Sequence, residues 1–211
     1  LMLELESLFH VPVLEAYGMT EASHQMACNP LPPAPRKPGS VGLPTAVEMA
    51  ILDQAGNPVP TGRTGEVAVR GQTITSGSLK NPEANAAEFI NGWLRTGDLG
   101  HFDESGFLYI NGRLKEIINK GGEKISPRDV EDVLITHPKI AQAVAFAIPD
   151  DRLGEEVAAA VVRKPGTEPV EEEIRAYAAK KMAHFRVPKK IIFMERIPVG
   201  PTGKPQRLGL A

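Results

Sequence analysis

Cysteine is almost absent. Cys28 stands alone in 211 residues, which excludes an internal disulfide framework and any zinc site built from several thiolates, and fits a reducing compartment. An excess of one charge is missing too: 24 Lys and Arg face 26 Asp and Glu, for a net charge of −2. With no basic block to grip a phosphate backbone, nucleic acid is not an expected partner. No apolar run is long enough to span a bilayer, and the opening "LMLELESLFH" has neither the basic flank nor the small-residue cleavage site of a secretory signal. The expectation is a soluble, intracellular chain without a membrane span. The end of the chain carries no Ser-Lys-Leu type of peroxisomal address, which favours the cytoplasm. The first residues run straight into a helix-like apolar pattern (Leu1, Leu5, Leu8, Phe9) with no cap before it, so a piece cut from a longer protein is expected.

What is present is organised in two stretches. A short helix, a strand-like "VPVLEAYG" and a second short helix over Thr20 to Met26 precede "NPLPPAPRKPGS", whose proline density suits a surface loop. From Val41 to Gly77 the pattern is β, with "VEMAILD", "GEVAVRG" and "TITSGSL" as strands between Gly- and Pro-rich turns. A helix beginning at Pro82, with Glu83 in its first turn, leads to a strand ending at Asp98. A second unit is expected from Gly112: a hairpin of "GFLYINGR" and "LKEIINKGGEKIS", then a helix capped by Ser126 with Pro127 first and Asp129 third. Two apolar strands around "DDRLG", an amphipathic helix with Ile174, Tyr177, Ala178 and Met182 on one side, and a closing strand "KKIIFMERI" complete it. The fold class expected is α+β: a β-rich first part, residues 1–111, and a small second domain, residues 112–211, whose three-stranded sheet carries helices on one face plus a hairpin.

Four motifs have the composition of a phosphate-handling site. In "YGMTEAS" a hydroxyl, Thr20, and a carboxylate, Glu21, follow a Gly turn, a pairing suited to a phosphate oxygen and Mg²⁺. A plainer reading, Thr20 capping a helix whose N-terminus Glu21 complements, has equal weight. In "LRTGDLG" Asp98 stands between Gly97 and Gly100, where it could accept both hydroxyls of a ribose or form an Asx turn. In "GRLKEIINKGGEKISP" the adjacent Gly121 and Gly122 are ringed by Arg113, Lys115, Lys120 and Lys124, a surface for a phosphorylated ligand or a solvated hairpin. In "IPVGPTGKPQR" Lys204 sits on a Gly/Pro loop, a mobile point charge or an ordinary charged tail.

Taken in series, "YGMTE", "GEVAVRG", "WLRTGDL", "GRLKEIINKGGEKISP" and "PTGKPQR" resemble the adenylate-forming (AMP-binding) superfamily of acyl-CoA synthetases, luciferases and peptide-synthetase adenylation domains. The resemblance implies a carboxylate–CoA ligase that uses ATP and Mg²⁺ to form an acyl-adenylate and then a thioester with coenzyme A. By similarity Thr20 contacts the α-phosphate, Glu21 ligates Mg²⁺, Tyr17 with Gly18 flanks the adenine, Asp98 holds the ribose hydroxyls and Arg113 contacts ribose or phosphate. Lys204 bridges carboxylate and α-phosphate, Lys115 takes the hinge position, and Gly121 and Gly122 line the pantetheine tunnel. Residues 1–111 then correspond to the last part of the large AMP-binding domain and 112–211 to the mobile C-terminal domain. "TEASHQMACNPLPP" and "RKPGSVGLP" are similar to the oxalate–CoA ligase branch. There His24 would face the acyl pocket and neutralise the far carboxylate of a small diacid, or else simply cap or pack. Malonate and medium-chain fatty acids stay open as substrates. The family's Ser/Thr/Gly-rich phosphate loop is not in this sequence, so the chain is expected to need the missing N-terminal part of the same enzyme as its partner and to be inactive, or nearly so, alone. Two other readings compete: a non-catalytic binding or regulatory module, and an adenylation domain that loads a carrier protein.

Overall fold

The computed structural model describes residues 2–200, 203, 205–207 and 210. Two compact units divide the chain at Leu114/Lys115. Among the described residues no helix is long and apolar enough to cross a membrane.

The first unit opens with helix α1 (Met2–Phe9), held by an ion pair between Glu6 and Arg36 and by the Val13 N–H donating to Glu6 Oε1 at 2.9 Å. Strands β1 (Ala16–Met19), β2 (His24–Cys28) and β3 (Leu43–Pro44) form a small antiparallel sheet. The helix expected over Thr20 to Met26 is absent. Thr20–Ala22 make a single 3₁₀ turn, and Ser23 and His24 then take left-handed φ values of +53° and +86°. Two consecutive left-handed residues cannot continue a right-handed helix, so the chain reverses and β2 pairs back on β1.

A second sheet contains β4 (Glu48–Leu52), β5 (Gly65–Arg70), β6 (Phe89–Ile90), β7 (Trp93–Phe102) and β8 (Leu108–Arg113), in the order β4-β5-β7-β6 with β8 also on β7. Helix α2 (Pro82–Glu88) starts at its proline as expected. Three expectations are corrected. "TITSGSL" is irregular: the Thr75 N–H donates to the Glu21 carbonyl at 2.8 Å and Ser23 Oγ to the Thr73 carbonyl at 3.0 Å, so this segment buttresses the β1–β2 turn rather than joining a ladder. The strand reaching Asp98 runs on to Phe102, because β8 pairs with its second half. For the same reason "GFLYINGR" pairs with β7 and not with "LKEIINK", and Gly112 and Arg113 complete the ladder of the first unit.

The second unit contains a short hairpin, β9 (Ile118–Lys120) and β10 (Glu123–Ile125), then helix α3 (Pro127–Leu134) with Ser126 at its N-cap. Strands β11 (Ile140–Asp150) and β12 (Gly154–Arg163), helix α4 (Glu171–Ala179) and strand β13 (Lys190–Met194) follow. β12 lies between antiparallel β11 and parallel β13, and the hairpin joins the sheet through the Gly154/Lys120 pair. Alternation along β12 sends Val157, Ala159 and Val161 to one face, where Val130 and Leu134 of α3 and Ile174 and Ala178 of α4 cover them. Ala158 and Ala160 face the other side with Val144, Phe146 and Ile197. A strand buried on both faces loses the polar alternation of a half-exposed one, which is why "EEVAAAVVRK" reads as a continuous apolar run. The α+β class and the helices on one face are as expected; β11, β12 and β13 supply the three strands, and the hairpin, formed by β9 and β10 instead of "GFLYINGR" and "LKEIINK", joins them in one five-stranded sheet.

Candidate nucleotide site

Along β7 burial alternates residue by residue, with Leu94, Thr96, Asp98 and Gly100 on the buried register. Leu94, Thr96 and Gly100 bring no charge to the interior, whereas Asp98 places a carboxylate there at 7% exposure. A buried carboxylate needs donors, and two arrive. Arg113 is directly opposite Asp98 in the β7–β8 ladder, and its Nε donates to Oδ1 at 2.8 Å. From the other sheet the Tyr17 hydroxyl donates to Oδ2 at 2.6 Å. Tyr17 packs against two buried clusters, one containing Val69 and Leu94 and the other Ile51 and Val67, so the hydroxyl is aimed by its packing. Burial first, and the facing Asp98 charge second, push the ionisation of Tyr17 well above the usual phenol range, so it stays a donor at neutral pH. Each carboxylate oxygen keeps a second lone pair, and the guanidinium of Arg113 is more than half exposed.

Backbone geometry aims Asp98. The β5–β7 register shifts between Glu66 and Ala68, and the β7–β8 register between Leu99 and Gly100, so irregularities flank the carboxylate on both ladders. Gly97 takes φ +73°, a conformation that favours glycine, and its N–H donates to Glu66 Oε1 at 3.1 Å. Glu66 is buried and pairs with Arg95 at 2.5 Å. The Asp98 N–H donates to Thr96 Oγ1 at 3.1 Å, and that hydroxyl donates to the Val67 carbonyl at 2.8 Å. Sequence reasoning did not single out Glu66, Arg95 or Thr96. The available signal was a glutamate directly before the apolar run "VAV" in the strand "GEVAVR".

The other candidates fall into separate places. Gly18, Thr20, Glu21 and His24 follow Tyr17 through the β1–β2 turn, and all four are exposed. A Cβ on Gly18 would stand 1.6 Å from the His24 carbonyl oxygen, so the glycine is required by the close approach of the two strands. Glu21 offers one exposed carboxylate, and the described residues contain no cluster of three or more metal-binding side chains. That donor set fits Mg²⁺, which is commonly held by one or two protein carboxylates together with substrate phosphates and water.

In the second unit Lys115 is the first residue, exposed in a 3₁₀ turn at Leu114–Glu116. Gly121 and Gly122 form the two-residue turn of the hairpin, with φ +59° and +94°, the positive pair that a type I′ turn needs. Two details of the expected cationic ring are corrected. Lys120 is engaged in a buried ion pair with Glu156 at 2.5 Å, because the hairpin joins the sheet at this residue. The Gly121 N–H is not free for a ligand but donates to the Leu153 carbonyl at 2.8 Å. Lys204 lies outside the described residues.

A buried carboxylate shared by a phenol and a guanidinium, with a tight glycine turn bearing Thr and Glu following the phenol in the chain, has the acceptors and donors to meet hydroxyl and phosphate groups. Comparison with known proteins makes this specific. Residues 1–79 match the family model of the AMP-binding enzyme, and residues 129–204 that of the AMP-binding enzyme C-terminal domain. An oxalate–CoA ligase of Arabidopsis thaliana is 51% identical over 96% of this chain and 40% of its own length. An oxalate–CoA ligase of Saccharomyces cerevisiae is 49% identical over 99% of this chain and 39% of its own. The crystal structure of ATP-bound MatB from Rhodopseudomonas palustris superposes with a TM-score of 0.91 at 32% identity, covering 97% of this chain and 41% of that one. The chain belongs to the AMP-binding enzymes. It spans about 40% of the length of the curated relatives it matches.

Proposed function

We propose that the whole protein is an ATP-dependent carboxylate–CoA ligase and that oxalate is its acid. The first unit, ending at Leu114, is the last part of the large AMP-binding domain, and the second, from Lys115, is the mobile C-terminal domain with Lys115 as its hinge. The observation that carries this reading is the buried Asp98, oriented by Tyr17 and Arg113 and still able to accept from two ribose hydroxyls.

The chemistry has two steps. A carboxylate oxygen of the acid attacks the α-phosphorus of ATP, the bond to the bridging oxygen breaks, and pyrophosphate leaves. The sulfur of coenzyme A then attacks the acyl carbon, the C–O bond to AMP breaks, and the thiol proton is released. Asp98 and Arg113 hold the ribose, Tyr17 and Gly18 border the adenine, and Thr20 donates to the α-phosphate. Lys204 offsets charge as it develops between carboxylate and phosphate. Glu21 would hold Mg²⁺, which when bound would neutralise phosphate charge. His24 meets the far carboxylate of the diacid, and Gly121 and Gly122 border the thiol's path. The oxalate assignment rests on the two relatives named for that acid.

ATP–pyrophosphate exchange tests the reading, with oxalate, malonate, acetate and a fatty acid offered in turn to the chain alone and to the whole protein. Exchange by the whole protein that depends on oxalate and disappears in Lys204→Ala is the expected result, with the chain alone nearly silent. Exchange with another acid only would reject oxalate, and silence with every acid would reject the ligase.

A further inference from the structure

The glycine hairpin does not stand alone. The start of β12 and the turn before it grip the hairpin at four points. The Asn119 N–H donates to Glu155 Oε2 at 2.6 Å, and Lys120 Nζ pairs with Glu156 Oε1 at 2.5 Å. Gly154 pairs with Lys120 in the ladder, and the Gly121 N–H donates to the Leu153 carbonyl at 2.8 Å. The turn supplying these contacts is itself held. Asp150 Oδ1 accepts the Arg152 and Leu153 N–H groups at 3.0 and 3.1 Å, while Lys189 Nζ, beside β13, donates to Oδ2 at 2.8 Å. Three of the grips are backbone ladder, backbone hydrogen bond or buried ion pair, each integral to the sheet. Glu155 is different: a half-buried side chain whose described contact is to the backbone of β9, two residues before the first glycine.

We propose that Glu155 is a positioning residue for the thioester-forming step, acting through the hairpin that carries Gly121 and Gly122. The inference rests on the ligase reading above. By accepting the Asn119 N–H, the carboxylate sets the approach of β9 to β12, and with it the place of the glycine turn. A charged acceptor makes a stronger bond than a neutral one, and a turn of two glycines has little stiffness of its own. Loss of this one bond frees β9 at Asn119 and lets the tip shift about its three remaining grips, while leaving the core beneath α3 and α4 intact. The adenylation residues proposed above are Tyr17, Gly18, Thr20, Glu21, Asp98, Arg113 and Lys204, and none of them contacts Glu155 among the described interactions.

The test uses the whole protein with whichever of oxalate, malonate and acetate supports exchange. ATP–pyrophosphate exchange reads the first step. Loss of free coenzyme A thiol on addition of preformed acyl-adenylate reads the second. Glu155→Ala is expected to slow the second step by roughly tenfold and to leave exchange within about twofold, and Glu155→Gln, which retains an acceptor oxygen, to recover most of the loss. Should Glu155→Ala fold poorly, Asp150→Ala loosens the same turn from its other end and is expected to show the same split. Equal loss in both steps, no loss in either, or no recovery with Gln would overturn the proposal while leaving the ligase reading in place. A wild-type protein that neither exchanges nor consumes thiol would remove both.

Discussion

Replacing Tyr17 with Phe removes one hydroxyl and nothing else, which makes it the sharpest probe of the Asp98 site. The ring keeps its packing against the first unit's core, so no cavity term arises. What is lost is a 2.6 Å hydrogen bond to a carboxylate in the buried register of β7. Hydrogen bonds to charged groups contribute about 1.5–3 kcal/mol. Arg113 keeps its bond to the other oxygen, so Asp98 is left half-satisfied rather than orphaned, and about 2 kcal/mol is the expected loss. That is roughly a thirtyfold change in the folding equilibrium. Trp93, the single tryptophan, lies in the same strand as Asp98, so its fluorescence in a urea titration reports on the unit concerned. The midpoint should fall without a change in slope. The pH dependence carries the same signature. Below the ordinary phenol value of 10.0 Tyr17 is protonated in both folded and unfolded chains, and its contribution is full. As pH rises past that value the unfolded chain ionises while the folded one resists, so the contribution falls from there towards the raised folded value. The stability difference between wild type and Tyr17→Phe should therefore be flat at neutral pH and shrink above about pH 10. A loss below about 0.5 kcal/mol, or a difference that does not shrink in alkali, would refute a buried Tyr17–Asp98 bond.

The second unit offers two further tests. Lys120 and Glu156 have side chains only 15% and 7% exposed, so Glu156→Ala, which leaves a largely covered ammonium unpaired, should destabilise that unit by about 3 kcal/mol. The double replacement Lys120→Met with Glu156→Leu should cost less than the single change, and hydrogen exchange along β12 reads both; a double variant worse than the single would sink the argument. Lys189 and the turn amides draw the Asp150 carboxyl down to about 2. Its contribution is then present above the unfolded value of 3.8 and lost as pH falls towards 2. The Leu153 amide should lose protection across that window in wild type and lack the transition in Asp150→Asn.

The sequence by itself determined the local features. Proline at the head of α2 and α3, the double-glycine turn and the apolar runs of β11 and β12 each have a cause lying within a few residues, so their reading needs no partner. The chemistry-bearing residue types were legible for the same reason: Thr20 with Glu21, Asp98 between glycines, and two glycines among cations are short-range patterns. What only the tertiary structure decided is pairing. Strand partnership depends on long-range register, and the choice of β7 over β9 as the partner of β8 moved Arg113 from a hairpin arm to the position opposite Asp98. The bond from Tyr17 to Asp98 joins two different sheets, and no spacing rule reaches across them. Lys120 looked like part of a ligand's cationic ring until Glu156, far along the chain, came to neutralise it. A carboxylate in a strand pattern shows its residue type but not its donors, because burial and hydrogen-bond partners arise only when separate strands close around it.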